Sequence, residues 1–224
     1  MSTEYSETAF SKIFDSKRSI IQELFCTEYT ISKDELTFDL YISPLEEFLV
    51  FSLNLNSQSM AVFSFSTRWI EEIQCKNNTV TFHKAKNKEI NFLAQLDENL
   101  FFEHDVPPKE KNPALKPGIE GYDDYELLEI FDNADLKSEN KRIQNFYAIY
   151  KDTYKFTLSI NHKANSVSLT LANKKRKRPV FKIKFYEISR VKKDKYSLRF
   201  FRLNEKNEYF SLITQPFISI QGEL

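Results

Sequence analysis

Glycine is scarce in this chain of 224 residues, which contains three of them. Glycine-rich phosphate loops and dinucleotide-binding turns need glycine at fixed positions, because the backbone there adopts positive φ angles or approaches a phosphate closely. The shortage of glycine therefore argues against a nucleotide-binding loop.

Cysteine and histidine are also scarce. Cys26 and Cys75 are the two cysteines, and they make neither a disulfide framework nor a zinc site. His83, His104 and His162 have no second ligand at metal spacing. Neighbouring carboxylates, such as those at positions 71 and 72, face opposite sides of a strand and so do not form an acid–base pair. No nucleophile motif occurs either, and we expect a protein without cofactor or metal that is not an enzyme.

Long apolar runs are missing as well. No run approaches the roughly 18 residues of a membrane-spanning helix. The first residues lack the basic and apolar regions of a secretory signal peptide. These absences predict a cytoplasmic protein without a membrane span.

What the chain does contain is an internal repeat. Residues 147–212 align with residues 29–94 without a gap at an offset of 118 positions. Strict apolar alternation, as in residues 36–42, is typical of half-buried strands. The repeat therefore indicates one β-rich module used twice. Identical pairs include Tyr29 and Tyr147, Phe38 and Phe156, Leu53 and Leu171, Ile70 and Ile188, and Phe82 and Phe200.

The repeat predicts a first module over residues 1–96 and a second over residues 123–224. Residues 97–122 hold four of the seven prolines, which predicts an exposed linker. Apolar residues at helical spacing predict a short helix over residues 4–14 and another over residues 123–134. The predicted fold class is α+β and mostly β, with each module a short helix and an antiparallel sheet of five to six strands. We expect the modules to pack as a pseudo-dimer and the tail after residue 215 to dock or add an edge strand.

Charge is unevenly distributed along the chain, although the formal net charge is zero. Residues 1–122 have a net charge of −7, and residues 123–224 have a net charge of +7. One interpretation is that the two halves attract each other. The alternative is that one face meets an oppositely charged partner.

The most basic stretch is a run of five cations before Pro179. In the repeat it aligns with the tip of a hairpin between the third and fourth strands, which places it at the surface. It is interpreted as a solvated loop or a docking patch for the acidic linker, as a basic ligand-binding surface, or as a nuclear-localisation signal. The run consists of Lys174, Lys175, Arg176, Lys177 and Arg178.

Three further residues are candidates for partner binding. Arg199 and Arg202 extend the positive field of the second module. Trp69, the single tryptophan, aligns with Glu187, so the repeated fold does not require it. It is either a core residue or an exposed interface anchor.

The order of elements resembles that of the small β-sheet immunity proteins that bacteria encode beside toxins. The resemblance rests on Ile130-Phe131-Asp132, Lys151-Asp152, the alternating residues 156–160, the Phe-Lys-Ile run from Phe181, residues 188–191, and their counterparts in the first module. It implies a stoichiometric binder that blocks the active site of another protein, and it carries over no site residues.

The predicted function is therefore a non-enzymatic protein-binding module, an immunity-type or inhibitory partner of a toxin or other enzyme. The alternative is a binder of nucleic acid or of an anionic surface through the basic second module. Lys182 and Lys184 alternate with Phe181 and Ile183. Such alternation is typical of a solvated sheet face opposite a core face, and this favours the first function over the second.

Overall fold

The chain folds into two compact units in the computed structural model. The first unit comprises residues 1–100 and 215–224, and the second comprises residues 101–214. The predicted module and linker boundaries at residues 96 and 123 stay a prediction. The structure describes residues 4–21, 24–43, 48–56, 61–68, 70–84, 90–96, 100–105, 107–108, 112–131, 133–135, 144–151, 153–203, 205–215 and 218–223.

The described part of the first unit contains ten strands and one short helix. Nine strands and the helix precede residue 97, and the tenth strand, β19, is supplied by the end of the chain. In chain order they are β1 (Glu4–Tyr5), α1 (Glu7–Phe10), β2 (Asp15–Ile21), β3 (Leu24–Lys33), β4 (Leu36–Ser43), β5 (Phe48–Leu55), β6 (Ala61–Arg68), β7 (Ile70–Lys76), β8 (Thr79–Lys84), β9 (Ile90–Gln95) and β19 (Ser219–Glu223).

The described part of the second unit contains nine strands and one short helix. They are β10 (Phe101–Asp105), α2 (Asp124–Leu128), β11 (Asn133–Asp135), β12 (Gln144–Lys151), β13 (Tyr154–Asn161), β14 (Ser166–Asn173), β15 (Phe181–Phe185), β16 (Ile188–Asp194), β17 (Ser197–Arg202) and β18 (Phe210–Ile213).

The predicted α+β class is wrong, because the fold is nearly all β. The helices α1 and α2 have four and five residues. Helices this short have little intrinsic stability, since nucleation fixes several residues for very few hydrogen bonds. In the first unit the predicted helix 4–14 contains β1, α1 and a turn, and the chain then enters β2 at Asp15. Phe10 and Phe14 are nevertheless buried. Their helical spacing arises because Phe10 lies in one short helical turn and Phe14 in the turn that follows it.

The prediction that each sheet is antiparallel is also wrong, because both units contain mixed pairings. In the first unit the strands are ordered β1-β7-β8-β9 and β19-β6-β5-β4-β3-β2, with β1 parallel to β7 and β19 parallel to β6. In the second unit they are ordered β10-β15-β14-β13-β12-β11 and β16-β17-β18, with β10 parallel to β15. The sequence alternation identified the strands, but alternation does not specify the direction of a neighbouring strand.

The two copies of the repeat have the same strand registers. Tyr29 pairs with Leu40 in the first unit, and Tyr147 pairs with Leu158 in the second. A β-bulge follows Ile70 in the first copy and Ile188 in the second. The alignment at an offset of 118 residues therefore holds at the level of backbone pairing.

Strands β10 and β19, which form the parallel pairs with β15 and β6, also correspond to each other, and each belongs to the unit built from the other copy. Strand β10 follows the first copy in the chain and belongs to the second unit, where Phe102 pairs with Phe181. Strand β19 follows the second copy and belongs to the first unit, where Ile220 pairs with Phe63. Both pairs obey the 118-residue offset. Each unit is therefore completed by the strand that follows the other copy.

Aromatic side chains fill the core of each unit. In the first unit, Phe51 and Phe92 have ring centroids 4.1 Å apart. In the second, the ring of Phe210 stacks at 3.9 Å on Phe185 and at 4.2 Å on Phe200. Burying each such ring contributes about 1.5–3 kcal/mol to the free energy of unfolding, so these clusters form the rigid framework on which the charged surface is built.

Candidate functional site

The positive charge predicted for the second half lies in the second compact unit. Residues 101–214 contain 23 Lys and Arg and 16 Asp and Glu, a net charge of +7. The first unit therefore has a net charge of −7. This division makes the basic side chains of the second unit the place to look for a binding surface.

The basic tip, residues 174–178, forms the exposed turn between β14 and β15. The Lys174 N–H donates to the Thr153 carbonyl oxygen at 2.9 Å. Asn173 accepts twice, since its side-chain Oδ1 receives the Lys175 N–H at 2.8 Å and its carbonyl receives the Arg176 N–H at 3.0 Å. Lys174, Lys175, Lys177 and Arg178 are exposed and Arg176 is half-buried. The tip is therefore a cationic turn with a hydrogen-bonded backbone, as expected from its place in the repeat.

Described acidic residues of the 97–139 region contact basic or polar residues away from the tip. Glu103 forms an ion pair with Lys182 at 3.9 Å. The Tyr186 hydroxyl donates to the Asp105 carboxylate at 2.6 Å, and burial, together with this hydrogen bond, raises the pKa of Tyr186. Both contacts lie inside the second unit, and the predicted attraction between the two halves of the chain stays a prediction.

Arg199 lies in a cleft of about 640 Å³, which we call the lysine cleft. Lys193 forms an ion pair across it with Glu129 of the turn after α2. Tyr196, which follows Lys195 in the chain, is exposed, and the Lys195 ammonium group lies over its ring at 4.9 Å. The lysine cleft is lined by Gly121, Glu126, Glu129, Lys192, Lys193, Asp194, Lys195 and Arg199.

Arg202 lies in a different cleft of about 620 Å³, which we call the arginine cleft. Its guanidinium stacks on the Tyr209 ring at 3.6 Å, and the Arg190 guanidinium stacks on the Phe201 ring at 4.7 Å. The Arg202 Nε–H is buried and has no hydrogen-bond acceptor in the part of the chain that the structure describes. An unsatisfied buried donor costs about 1–3 kcal/mol of stability. The arginine cleft is lined by residues 114–118, 120, 189–190, 202–203 and 205–206.

The electrostatics of this cleft follow from the stacked pair of Arg202 and Tyr209. Burial raises the pKa of Tyr209, and the positive charge of Arg202 opposes that rise. A neutral phenol ring beneath the guanidinium is the arrangement that favours a cation–π contact. The Tyr209 ring covers one face of the Arg202 guanidinium.

One wall of the arginine cleft is the loop before α2, which is fastened to the rest of the second unit. The Ile119 N–H donates to Nδ1 of His162 at 3.4 Å, so the imidazole proton sits on Nε2, which donates to the Tyr122 hydroxyl oxygen at 2.7 Å. The Asn165 side chain donates to the Gly118 carbonyl oxygen at 2.9 Å. The loop is therefore a fixed wall, and the histidine that we expected to have no metal partner anchors it.

Gly121 brings the same loop against strand β16. Its φ angle is +88°, and a Cβ atom added there would lie 2.3 Å from the carbonyl oxygen of Val191. The close approach lets the Val191 N–H donate to the Glu120 carbonyl at 2.8 Å and the Glu120 N–H donate to the Ser189 carbonyl at 2.9 Å. Part of the stretch predicted as an exposed linker is thus paired with a strand.

The predicted site residues do not gather in one place. The five tip residues occupy one turn, Arg199 lines the lysine cleft, and Arg202 lines the arginine cleft. Trp69 lies outside the described residues, so its interpretation as core or interface stays a prediction. Arg190 belongs to the positive field of the second module but was not a predicted site residue, and the sequence analysis missed Phe201 and Tyr209. The available signal was the density of arginine and aromatic residues between positions 190 and 209.

Within the described ranges, no group of three or more His, Cys, Asp or Glu side chains is arranged to hold a metal ion. None of the helices described is long and apolar enough to cross a membrane. A comparison with protein-family models finds no match, and a comparison with curated proteins finds no similar sequence.

Proposed function

We propose that this protein is a non-enzymatic binding protein that engages an acidic surface of another protein through its basic second unit. In this role it acts as an immunity-type or inhibitory partner of a toxin or other enzyme. The observation that carries the proposal is the basic tip, where five cations stand on a turn held by backbone hydrogen bonds. A binding surface that is already ordered loses less conformational entropy when a partner docks.

The lack of ion pairs between described carboxylates and three lysines of the basic tip supports the same proposal. In the described part of the chain, no carboxylate forms an ion pair with Lys174, Lys175 or Lys177. Five like charges on one turn repel one another, and an acidic partner relieves that repulsion. Complementary charge of this kind accelerates association and suppresses wrong partners.

The test is recovery of a partner by the tagged full chain from a lysate of its native host, at about 150 mM salt. A tip variant carries Lys174→Gln, Lys175→Gln and Lys177→Gln. A matched control carries Lys12→Gln, Lys76→Gln and Lys163→Gln, which removes the same charge from three exposed lysines elsewhere. We expect the wild type and the control to recover one stoichiometric protein and the tip variant to lose it.

Inhibition of the recovered protein separates an inhibitor from a simple binding partner. The activity of the purified partner should fall in proportion to added wild-type protein and level off at one equivalent. If no stoichiometric partner is recovered, or if the tip variant and the control recover it equally, the proposal is wrong.

Binding of single-stranded nucleic acid is the second candidate function, and one observation favours it. Tyr150 and Tyr196 are 46% and 44% exposed, and each lies under a lysine, Lys155 at 5.4 Å and Lys195 at 4.9 Å. Exposed aromatic rings beside cations provide stacking platforms for bases. This function predicts that affinity for a labelled single-stranded oligonucleotide, measured by fluorescence anisotropy, falls steeply with salt and weakens in Tyr196→Ala. An affinity insensitive to salt and to this substitution would eliminate it.

A further inference from the structure

We propose that the arginine cleft of the second unit binds a small organic molecule that carries a phosphate monoester group. The site is distinct from the basic tip, and the inference does not depend on the partner protein proposed above. It rests on the charge of the cleft, the state of its two arginines and a comparison with the first copy of the repeat.

The cleft combines excess positive charge with a volume suited to a small ligand. Lys116 and Lys206 join the two arginines along its walls, whereas Glu120 and Glu205 are its two carboxylates. This leaves an excess of two positive charges, which matches a doubly charged phosphate monoester. Its volume of about 620 Å³ lies within the range of small-molecule sites.

The two arginines are held in place but are not neutralised. Phe201 and Tyr209 each cover one face of a guanidinium, at 4.7 Å from Arg190 and 3.6 Å from Arg202. No carboxylate among the described residues pairs with either arginine, even though two carboxylates line the same cleft. Both arginines line the cleft, and a guanidinium that is not paired with a carboxylate can give bidentate hydrogen bonds to an oxyanion.

The first copy of the repeat shows that the fold does not require Arg190. Where the second unit pairs Arg190 with Phe201, the first pairs Glu72 with His83, at the same register and after the same β-bulge. A bulge re-aims the side chains that follow it. The shared framework therefore exists without the arginine, and its presence in the second copy points to a ligand.

The apolar part of the lining indicates that the ligand is larger than a phosphate ion. Leu115, Pro117 and Leu203 line the same cleft as the charged groups. Inorganic phosphate would leave this apolar surface uncovered, whereas the organic part of a phosphate monoester would cover it and remove it from water. The cleft thus matches a ligand with an anionic end and a less polar body.

The test is isothermal titration of the full chain with three pairs of probes. Adenosine monophosphate is compared with adenosine, glucose 6-phosphate with glucose, and inorganic phosphate with buffer alone. We expect at least one phosphate monoester to bind at roughly millimolar concentration or below. The form without phosphate should not bind, and inorganic phosphate should bind at least about tenfold more weakly than the ester.

Three single variants locate the binding site. Arg190→Gln and Arg202→Gln should each lower the affinity for the ester by about tenfold or more, since each removes a charged bidentate donor. Arg199→Gln is the matched control, because it removes one arginine from the same strand outside the cleft and should leave affinity unchanged. Lys116→Gln, on the exposed loop, provides a further test if a stacked arginine proves necessary for folding.

An independent readout is the NMR signal of the Arg202 Nε–H, which should shift on addition of the ester. The proposal is overturned if no ester binds, if adenosine or glucose binds as well as its phosphate, or if inorganic phosphate binds as tightly as the esters. It is also overturned if Arg199→Gln weakens binding as much as the variants within the cleft.

Discussion

Gly121 is a single residue on which one wall of the arginine cleft depends. In Gly121→Ala the new methyl group would collide with the Val191 carbonyl oxygen, at a backbone φ of +88° that L-residues rarely adopt. We expect a loss of about 2–4 kcal/mol in the free energy of unfolding, measured with urea. Weaker amide-exchange protection of β16 should accompany it.

Gly118→Ala is the matched control for this substitution. Gly118 also has a positive φ angle, +127°, but a Cβ atom there would meet no heavy atom within 4 Å. Gly118→Ala therefore introduces backbone strain without a collision. Its free energy of unfolding should fall by about 1–2 kcal/mol less than that of Gly121→Ala. Equal losses would show that the close approach of the loop to β16 does not matter.

Tyr29 contributes to a loss of stability of the first unit at alkaline pH. Burial raises the pKa of this phenol, and the nearby hydroxyl of Tyr5, 3.5 Å away, adds to the rise. The folded state therefore keeps its proton while the unfolded state loses one above about pH 10. Tyr29 therefore makes its full contribution to the free energy of unfolding below that pH, and this contribution falls as the pH rises above it.

The substitution Tyr29→Phe removes the contribution of Tyr29 to this dependence, while half-buried Tyr41, whose pKa burial also raises, keeps its own. At about pH 8 it should change the free energy of unfolding by no more than about 1.5 kcal/mol, the value of one hydrogen bond. Between about pH 10 and pH 11 its free energy of unfolding should decline less steeply than that of the wild type. Urea unfolding at each pH gives the comparison, and identical slopes would contradict the assigned shift.

The exchanged strands β10 and β19 are the elements that complete the two units. Ile220 of β19 is fully buried beside Phe63, and Phe102 of β10 is fully buried beside Phe181. Ile220→Ala should cost about 2–5 kcal/mol and Phe102→Ala about 3–5 kcal/mol. Each value is the expected loss in the free energy of unfolding when the side chain buried at that parallel strand pair is truncated.

Hydrogen exchange resolves which unit each substitution weakens, and each variant is the control for the other. Ile220→Ala should reduce the protection of amides in β6 and spare those in β15. Phe102→Ala should do the reverse. If each substitution instead exposes the unit that precedes its strand in the chain, then β10 and β19 are not exchanged.

The limits of sequence reasoning are clearest for individual elements. Strand β4 could be predicted because its apolar residues alternate strictly, and its observed burial alternates in the same way over most of its length. Strand β16 does not follow this pattern, because the bulge after Ile188 places its next buried residue, Val191, three positions later, which breaks the period of two. The helices were predicted too long because one helical turn and the following turn bury Phe10 and Phe14 at helical spacing.

The candidate sites were predictable to different degrees for a similar reason. The basic tip is contiguous in sequence, and the repeat places it on a turn. The arginine cleft joins a loop near residue 116 to residues 190 and 202, and only the folded chain brings these together. Parallel pairing of β10 with β15 is equally non-local, because its strands are separated by most of the second unit.

At the scale of the whole molecule, one repeated framework carries opposite charge in its two copies. The first unit has a net charge of −7 and the second +7, although their strand registers coincide. Shared pairing preserves the fold, so the difference in charge resides in residues that the fold leaves free to vary. We infer that the second unit has the specialised binding surface and that electrostatic attraction steers its partner.

The rate of association with the recovered partner protein tests this central claim most directly. Surface plasmon resonance should be recorded at several salt concentrations between about 50 and 500 mM. The account predicts that the association rate constant falls by about tenfold or more over this range while the dissociation rate constant changes much less, and that the tip variant associates slowly at every salt concentration. An association rate constant that is independent of salt, and equal for the wild type and the tip variant, would contradict it.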